Sequence, residues 1–530
     1  MVTIDRRTAL ALGAAAAGAA GLGVRSAKAQ KALPSLDENP VLFWNAVSLE
    51  LVALDHSIDP EDARTPGPCA SSYALGLIHA VIADAVSIAY KSHYRPHFYK
   101  GRTDAPIQHP ELFVGGAAEG ILSYIFDTPI HLYTIGASRQ FFQRVIGRNG
   151  GRDWQAGQHF ARLPVFTERW KWAEKRPRII PQLSRYVPRP RQHNIDPYNA
   201  GQGFYGYSWG QQDPLVIAGG DNIIALAPKA PPAEGSPEYE RDLAEVAVLG
   251  ALESKGNGRF PARTPAQTSI GLFWAYDGAR LIGTPPRLCN QIVRQIAIDD
   301  RMSIPELARL LALCNLAMAD AGIVCWWAKY HYAVWRPVLG IQNHLKHPQP
   351  EWRPLGSPKT NPLRFAMDTR ITDTAQALMG GGASILGQQL RYRDQFRAVR
   401  WGVSREEDYS EAAFNPNFPA YPSGHSQYGA ACFHMLRKVR AERRATRNDP
   451  DRLDREFVSD ELNGIAIDNF RNEPRPYHRI HYKSIEDIIK DNEASRIYLG
   501  VHWRFDCTSG SASGKRVADS VYRNAYGIAR

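Results

Sequence analysis

Along most of the chain apolar residues recur every three to four positions, the spacing of a helix with one buried face. The clearest run is 304–333, where Leu307, Leu311, Cys314, Leu316, Ala319 and Ile323 fall on one stripe. Its start is marked as well. Ser303 can accept from the open amides, Glu306 stands three residues on, and Pro305 falls in the first turn, where its missing N–H costs nothing. The same spacing predicts helices near 40–55, 70–92, 113–125, 136–147, 238–255, 283–299, 370–391, 426–445, 484–499 and 510–526. Strand patterns are few and short, and no internal repeat is read. The pattern is that of a mostly helical protein.

The stretch 174–236 breaks the pattern, being rich in Pro, Arg, Gln, Asn and Gly, and reads as long surface loops with room for a hairpin. It holds Gly201-Gln202-Gly203-Phe204-Tyr205-Gly206, a GxGxxG match. A dinucleotide site needs a strand before those glycines and a helix opening at them. Here Asp196-Pro197-Tyr198-Asn199 precedes, so a glycine-rich turn is the better reading. His478 and His481, set among Pro and Arg, are weak as a metal site.

Composition changes the picture only in part. The formal charge of +11, from 64 Lys plus Arg against 53 Asp plus Glu, favours anionic partners of any size. The basic run 437–447 has no interleaved aromatics and no recognition module, so it reads as a solvated helix face, and no nucleic-acid partner is expected. At the N-terminus Arg6 and Arg7 precede a mild Ala/Gly-rich apolar stretch and then Ala27-Lys28-Ala29. That order is an export signal of the twin-arginine kind, which implies a periplasmic or secreted protein cut after Ala29. No membrane span is expected beyond it. Six scattered cysteines show no metal or haem spacing and read as buried thiols. The expected organisation is a signal over 1–29, a helical region over 30–260 and a catalytic helical region over 261–530.

Three segments carry the chemistry. Lys329 to Pro337 reads Lys-x6-Arg-Pro, then comes Pro422-Ser423-Gly424-His425, then Ser495 to Asp506 as Ser-Arg-x5-His-x3-Asp. Lys329 and Arg336 stand seven apart, close to two helical turns, which allows both to project from one face. Arg336 precedes a proline, which places it near a helix end. Pro422-Ser423-Gly424 breaks the chain just before an apolar-periodic helix, opening backbone amides at a helix N-terminus. Gly500, between Arg496 and His502, is expected to end a helix. Two Arg, one Lys, a Ser hydroxyl and open amides suit a tetrahedral oxyanion.

Together and in this order, the segments resemble the signature of the vanadium-dependent haloperoxidases and of the acid phosphatase/phosphatidic-acid phosphatase superfamily. The peroxidase branch is favoured by the sequence around Trp326 (DAGIVCWWAKYHYAVWRPVLGI), by Phe418-Pro419-Ala420-Tyr421 leading into the Ser423 segment, and by 273–287 and 352–361, all similar to fungal-type vanadium chloroperoxidases. The segments also stand far apart, with 84 residues between Pro337 and Pro422 and 69 between His425 and Ser495. The resemblance implies an all-α fold of two helical bundles packed around a vanadate site, with long loops. It implies that His502 ligates vanadium and that Lys329, Arg336, Ser423, Gly424 and Arg496 hydrogen-bond the vanadate oxygens. It makes His425 the base that takes a proton from hydrogen peroxide, Lys329 the group that polarises the peroxide, and Asp506 the partner that orients His502. Asp277 is a weaker candidate to pair with Arg496, and Trp326 and Phe418 would wall a halide pocket. The implied activity is oxidation of bromide, and of chloride, by hydrogen peroxide to a hypohalous acid that halogenates a small organic acceptor. Two other readings stay open: a secreted acid phosphatase with His502 as nucleophile, and a non-catalytic oxyanion-binding protein. Organic substrate, oligomeric state and disulfide pairing cannot be read from sequence.

Overall fold

A computed structural model describes residues 38–56, 58, 62–101, 106–174, 179–180, 204–218, 221–276, 282–356, 416–463, 467–468, 473–474 and 477–528. The export signal, the helix expected over 370–391 and Asp277 lie outside these residues. The first half of the GxGxxG match, residues 201–203, does too, while Phe204, Tyr205 and Gly206 are described. In chain order the helices are α1 (Pro40–Asp55), α2 (Gly67–Ala89), α3 (Pro110–Ile125), α4 (Pro129–Val145), α5 (Arg152–Ala161), α6 (Pro164–Glu174), α7 (Asp221–Leu226), α8 (Pro237–Leu249), α9 (Pro265–Phe273), α10 (Pro285–Asp299), α11 (Ile304–Tyr332), α12 (Pro337–Gln342), α13 (Gly424–Glu442), α14 (Ile485–Tyr498) and α15 (Arg504–Asn524). The all-α expectation holds. The strands are short antiparallel pairs, β1 (Ile179–Ile180) with β2 (Phe204–Tyr205) and β4 (Ile467–Asp468) with β5 (Glu473–Pro474), plus one longer hairpin, β3 (Arg452–Asn463) with β6 (Tyr477–Ser484).

Two long apolar helices form the centre. α2 and α11 pack along each other, and their residues are almost all buried. Both are long and apolar enough to cross a membrane, yet 94% and 100% of their apolar windows lie inside the protein, as core helices do. The helix over 304–332 starts as read: the Ser303 side chain accepts from Glu306 N, and the Glu306 side chain accepts from Ser303 N.

The structure overturns one reading, the absence of a repeat. α1, and α10 with its C-cap residue, each carry Pro-x4-Asn-x9-Asp (Pro40, Asn45, Asp55 and Pro285, Asn290, Asp300). α2 and α11 each place a buried polar residue five positions before a buried aspartate: His79 and Asp84, Asn315 and Asp320. The four polar side chains meet in the core. Asn45 bonds His79 at 2.8 Å, Asn290 bonds Asn315 at 2.7 Å, and Asn45 reaches Asn290 at 3.3 Å. His79 and Asn315 also bond the carbonyls four residues back, Leu75 O and Leu311 O. Asp84 accepts the amides of His97, Phe98 and Tyr99, and Asp320 those of Leu215, Val216 and Ile217. In each half a further helix pair closes to backbone contact through glycine: α3 on α5 at Gly116 and Gly157, and α13 on α15 at Gly510 and Gly514. Among the described residues these helices form two similarly built bundles, α1–α2–α3–α5 and α10–α11–α13–α15.

The basic run 437–447 is not a free cationic surface. Arg437 pairs with Asp451 and Glu486, Lys438 with Asp519, Arg440 with Asp300, and Arg443 with Glu306. All six cysteines are buried free thiols. His481 faces Asp454 on the exposed hairpin, and no cluster of three or more His, Cys, Asp or Glu side chains placed to hold a metal ion stands among the described residues.

Candidate active site

The second bundle gathers the predicted residues. Lys329 lies in the last turn of α11, Arg336 caps the N-terminus of α12, Ser423 caps α13 and Gly424 opens it, Arg496 lies near the end of α14, and His502 stands two residues before α15. Lys329, Arg336, Ser423, Arg496, His502 and Asp506 are all buried. One step of the sequence argument fails. Lys329 and Arg336 do not share a helical face, because α11 ends at Tyr332 and Ala333 turns left-handed (φ 52°). After that turn the two cations converge on one loop, Lys329 and Arg336 both bonding its backbone oxygens.

Lys329 Nζ donates to three backbone oxygens, Pro419 O (2.8 Å), Ala420 O (2.9 Å) and Pro422 O (2.5 Å), and so ties the Phe418–Ser423 loop to α11. Arg336 reaches the same loop at Phe418 O (3.3 Å) and also bonds Val501 O and His502 Nε2, both at 2.8 Å. Arg496 bonds Ser495 Oγ and Trp274 O. Burial lowers Lys329 to about 8, and the neighbouring Arg336 cation pushes the same way. Three buried cations this close are disfavoured by desolvation and mutual repulsion unless an anion joins them. The amides at the α13 N-terminus, Gly424 among them, have no carbonyl within the helix to bond and add donors of the same kind.

The histidines are set by their partners. His502 Nδ1 lies 2.9 Å from Asp506 Oδ2, which also accepts the amide of Trp503. Burial, then Arg336, Lys329 and Arg496, hold His502 well below the usual histidine range. Burial pushes Asp506 up to about 8 against the pull of Lys329. One proton therefore lies between Nδ1 and Oδ2, and the Nε2 lone pair faces Arg336. That nitrogen has the chemistry of a metal ligand or a nucleophile. His425 Nε2 lies 2.7 Å from Ala275 O, so its proton is donated there and Nδ1 is the basic nitrogen. Desolvation, then Arg496, hold His425 well below the usual range.

Trp326 and Phe418 stand together as expected, ring centroids 5.1 Å apart, and Tyr205 adds a third ring 6.0 Å from each. Lys329 Nζ lies over both, 5.4 Å from the Trp326 ring and 5.3 Å from the Phe418 ring. Sequence reasoning missed Asn492, whose Nδ2 donates to His425 O at 2.8 Å and holds the first turn of α13 against α14. Its position four residues before Arg496, on the same helix face, was the available signal. It also missed Asp242, which accepts the amide of Phe505 at the start of α15 from a distant segment that no local motif marks.

Fold and site together define a helical-bundle protein in which three buried cations, Lys329, Arg336 and Arg496, gather around the His502 ring. The known proteins it resembles are vanadium-dependent haloperoxidases. The family profile described as "VCPO second helical-bundle domain" matches residues 309–362 and 387–529. The vanadium chloroperoxidase of Curvularia inaequalis is 27% identical over 90% of this chain and 81% of its own length. Among solved structures, a bacterial vanadium-dependent iodoperoxidase superposes with a TM-score of 0.61 over 92% of this chain and 97% of its own, at 17% identity. A bacterial vanadium-dependent chloroperoxidase in its apo form gives 0.53 over 86% and 93%, at 13% identity. At such identities the structural likeness speaks to the fold.

Proposed function

We propose that the protein is a vanadate-dependent haloperoxidase that oxidises bromide, and chloride, with hydrogen peroxide to a hypohalous acid, which then halogenates a small organic acceptor. The observation that carries this reading is the His502 Nε2 lone pair, held neutral and oriented by Asp506 beside Lys329, Arg336 and Arg496. The donor set fits vanadate: one nitrogen ligand, three cations and a helix N-terminus. When bound, vanadate would supply a pentavalent Lewis acid that activates peroxide without changing its own oxidation state.

The chain's own residues do the rest. His502 would ligate through Nε2, and Arg336, now hydrogen-bonded to that nitrogen, would turn its N–H groups to the oxyanion. Arg496, Ser423 and Gly424 would bond the remaining oxygens, and Lys329 would offset their charge and join them by exchanging one of its three bonds to backbone oxygens. His425 would accept the first proton of hydrogen peroxide at Nδ1, its ring held by Ala275 O, a general-base role suited to a histidine kept neutral. Trp326 and Phe418 would keep water from the halide, strengthening every charge interaction in the pocket. The twin-arginine pattern over 1–29 supports an exported protein.

The deciding experiment is bromination of a phenolic dye by purified protein, with and without vanadate and with and without peroxide. The expected result is turnover only when both are present. Because the cradle suits phosphate equally, the same protein should be assayed with an activated phosphate monoester. Fast hydrolysis that vanadate only inhibits, with no halide oxidation, would make it an acid phosphatase with His502 as nucleophile. Vanadate binding with neither activity would leave an oxyanion-binding protein.

A further inference from the structure

His502 is carried on a turn, and that turn is braced from outside the region matched by the family profile. α14 ends at Tyr498, and the chain passes through Gly500 (φ +71°) to Val501 and His502. Gly500 lies back to back with Gly250 at the end of α8, where a Cβ on either would fall 2.5 Å from the other's backbone. Arg263 fastens the junction. Its Nη1 donates to Leu249 O and Ala251 O, both at 2.7 Å, and lies 3.4 Å from Tyr498 O. Its Nε bonds Thr268 Oγ1 at 3.0 Å. One guanidinium thus serves the C-terminal carbonyls of both α8 and α14, where partial negative charge collects and cations are favoured. Burial lowers Arg263 to about 10, which leaves it charged at any working pH. From the other side Arg336 bonds Val501 O at 2.8 Å, so the turn is gripped at both ends.

We propose that Arg263 is a positioning residue for His502: by tying the ends of α8 and α14 together it fixes the turn from which Nε2 enters the oxyanion cradle. The inference rests on the proposed reading of that cradle and extends it to a residue far from it in sequence. Arg263 touches no cradle side chain, so its effect falls on where His502 stands rather than on the cradle's charge.

The test compares wild type, Arg263→Ala and Arg263→Lys by amide hydrogen exchange over 499–502 and by the Kd for orthovanadate in equilibrium dialysis. In Arg263→Ala, exchange at these amides should rise while exchange in α11 stays as in wild type. The vanadate Kd should weaken roughly 10- to 100-fold, the range for groups that orient a metal ligand. Turnover at saturating vanadate should change far less than the Kd. Arg263→Lys, which keeps the charge but not the fork of donors, should fall between, and it carries the test alone if the alanine variant does not fold. Unchanged exchange over 499–502 in the folded variants overturns the proposal, as does an unchanged vanadate Kd. If wild type binds no vanadate, the functional reading fails by itself, and the exchange data still decide whether Arg263 fixes the turn.

Discussion

Replacing Gly514 by alanine should destabilise the second bundle, although alanine is the better helix former. A Cβ at Gly514 would lie 2.3 Å from Gln427 O and 3.0 Å from Ala431 N, both backbone atoms of α13. Real Cβ atoms essentially never come within 3.0 Å of such a neighbour, so the two helices must part by about 0.7 Å. No side chain can swing aside to relieve this. Overpacking of that kind costs about 1–3 kcal/mol. The separation also strains the bonds from Gln427 Nε2 to Ala321 O and Ser513 Oγ, buried bonds worth about 1 kcal/mol each. The intrinsic gain of alanine over glycine offsets about 1 kcal/mol. The net expectation is a loss of about 1–3 kcal/mol. Gly136 in α4 is the control: a Cβ there meets nothing within 4 Å, so Gly136→Ala should gain about 0.5–1 kcal/mol. Guanidinium midpoints followed by tryptophan fluorescence and far-ultraviolet circular dichroism, compared at equal slopes, read both effects. Opposite signs are expected; a Gly514→Ala variant as stable as wild type would show that α13 and α15 have slack at their contact. Gly510→Ala places its Cβ 2.7 Å from Ser423 O and should in addition weaken vanadate retention, because it pushes on the start of α13.

Three further outcomes are expected. His502→Ala should reduce vanadate-dependent halide oxidation to background while leaving the circular dichroism spectrum intact and some oxyanion affinity in the remaining cations; near-wild-type turnover would sink the assignment of His502. Burial lowers His79 to about 4 from an ordinary 6.5, so between those values the unfolded chain takes up a proton that the folded chain refuses, and stability falls as pH drops through that window by up to about 3 kcal/mol. His79→Asn, the side chain that Asn315 has at the corresponding place in α11, should make the loss of stability between pH 6.5 and 4 shallower, and an unchanged dependence of the urea-unfolding free energy on pH would refute the argument. Phe418→His should reduce chloride oxidation more than bromide oxidation across the pH range, since it puts a polar ring beside Lys329 and Arg336; chloride turnover absent in both proteins, with bromide turnover normal, would remove Phe418 as a marker of chloride use.

Most of the cradle was legible because its residues sit in short segments whose local chemistry is distinctive. Ser423-Gly424-His425 announces a helix start, and α13 begins at Gly424. Lys329 and Arg336 were correctly paired for a partly wrong reason, since the seven-residue spacing conceals a helix end and a left-handed Ala333 that no local pattern marks. α15 begins at Arg504 rather than near 510, because Asp506 reaches back to the amide of Trp503 and caps the helix early. The helices over 152–161 and 164–174 went unread because segments of about three turns show the apolar period too few times to stand out. The β3–β6 hairpin was hidden by its charge: Arg479 faces Glu456 and His481 faces Asp454, and β6 is mostly exposed. Arg263 and Asp242 act across long sequence separations, and nothing local in sequence says where such side chains end up, whereas Asn492 was marked only by its place one turn before Arg496.

The repeat explains why the cradle stands in only one bundle. Asp84 and Asp320 occupy matching places in the paired helices, each buried and each accepting three amides of a crossing loop. Beyond Asp84, α2 continues only to Ala89, and the chain turns left-handed at Lys91 (φ 47°), close to the surface. Beyond Asp320, α11 continues to Tyr332 before its own left-handed turn at Ala333. The extra length, about two helical turns, carries Trp326 and Lys329 into the space between the start of α13 and the turn before α15. An Arg-Pro pair follows in both halves, Arg95-Pro96 and Arg336-Pro337, but Arg95 is exposed whereas Arg336 is buried against His502. A buried arginine is tolerable when a partner anion or a fixed acceptor awaits it, and only the longer helix builds the walls that create such a place. The cluster of Lys329, Arg336 and His502 is thus an elaboration at the end of a core helix, laid on a scaffold whose helices the first bundle resembles.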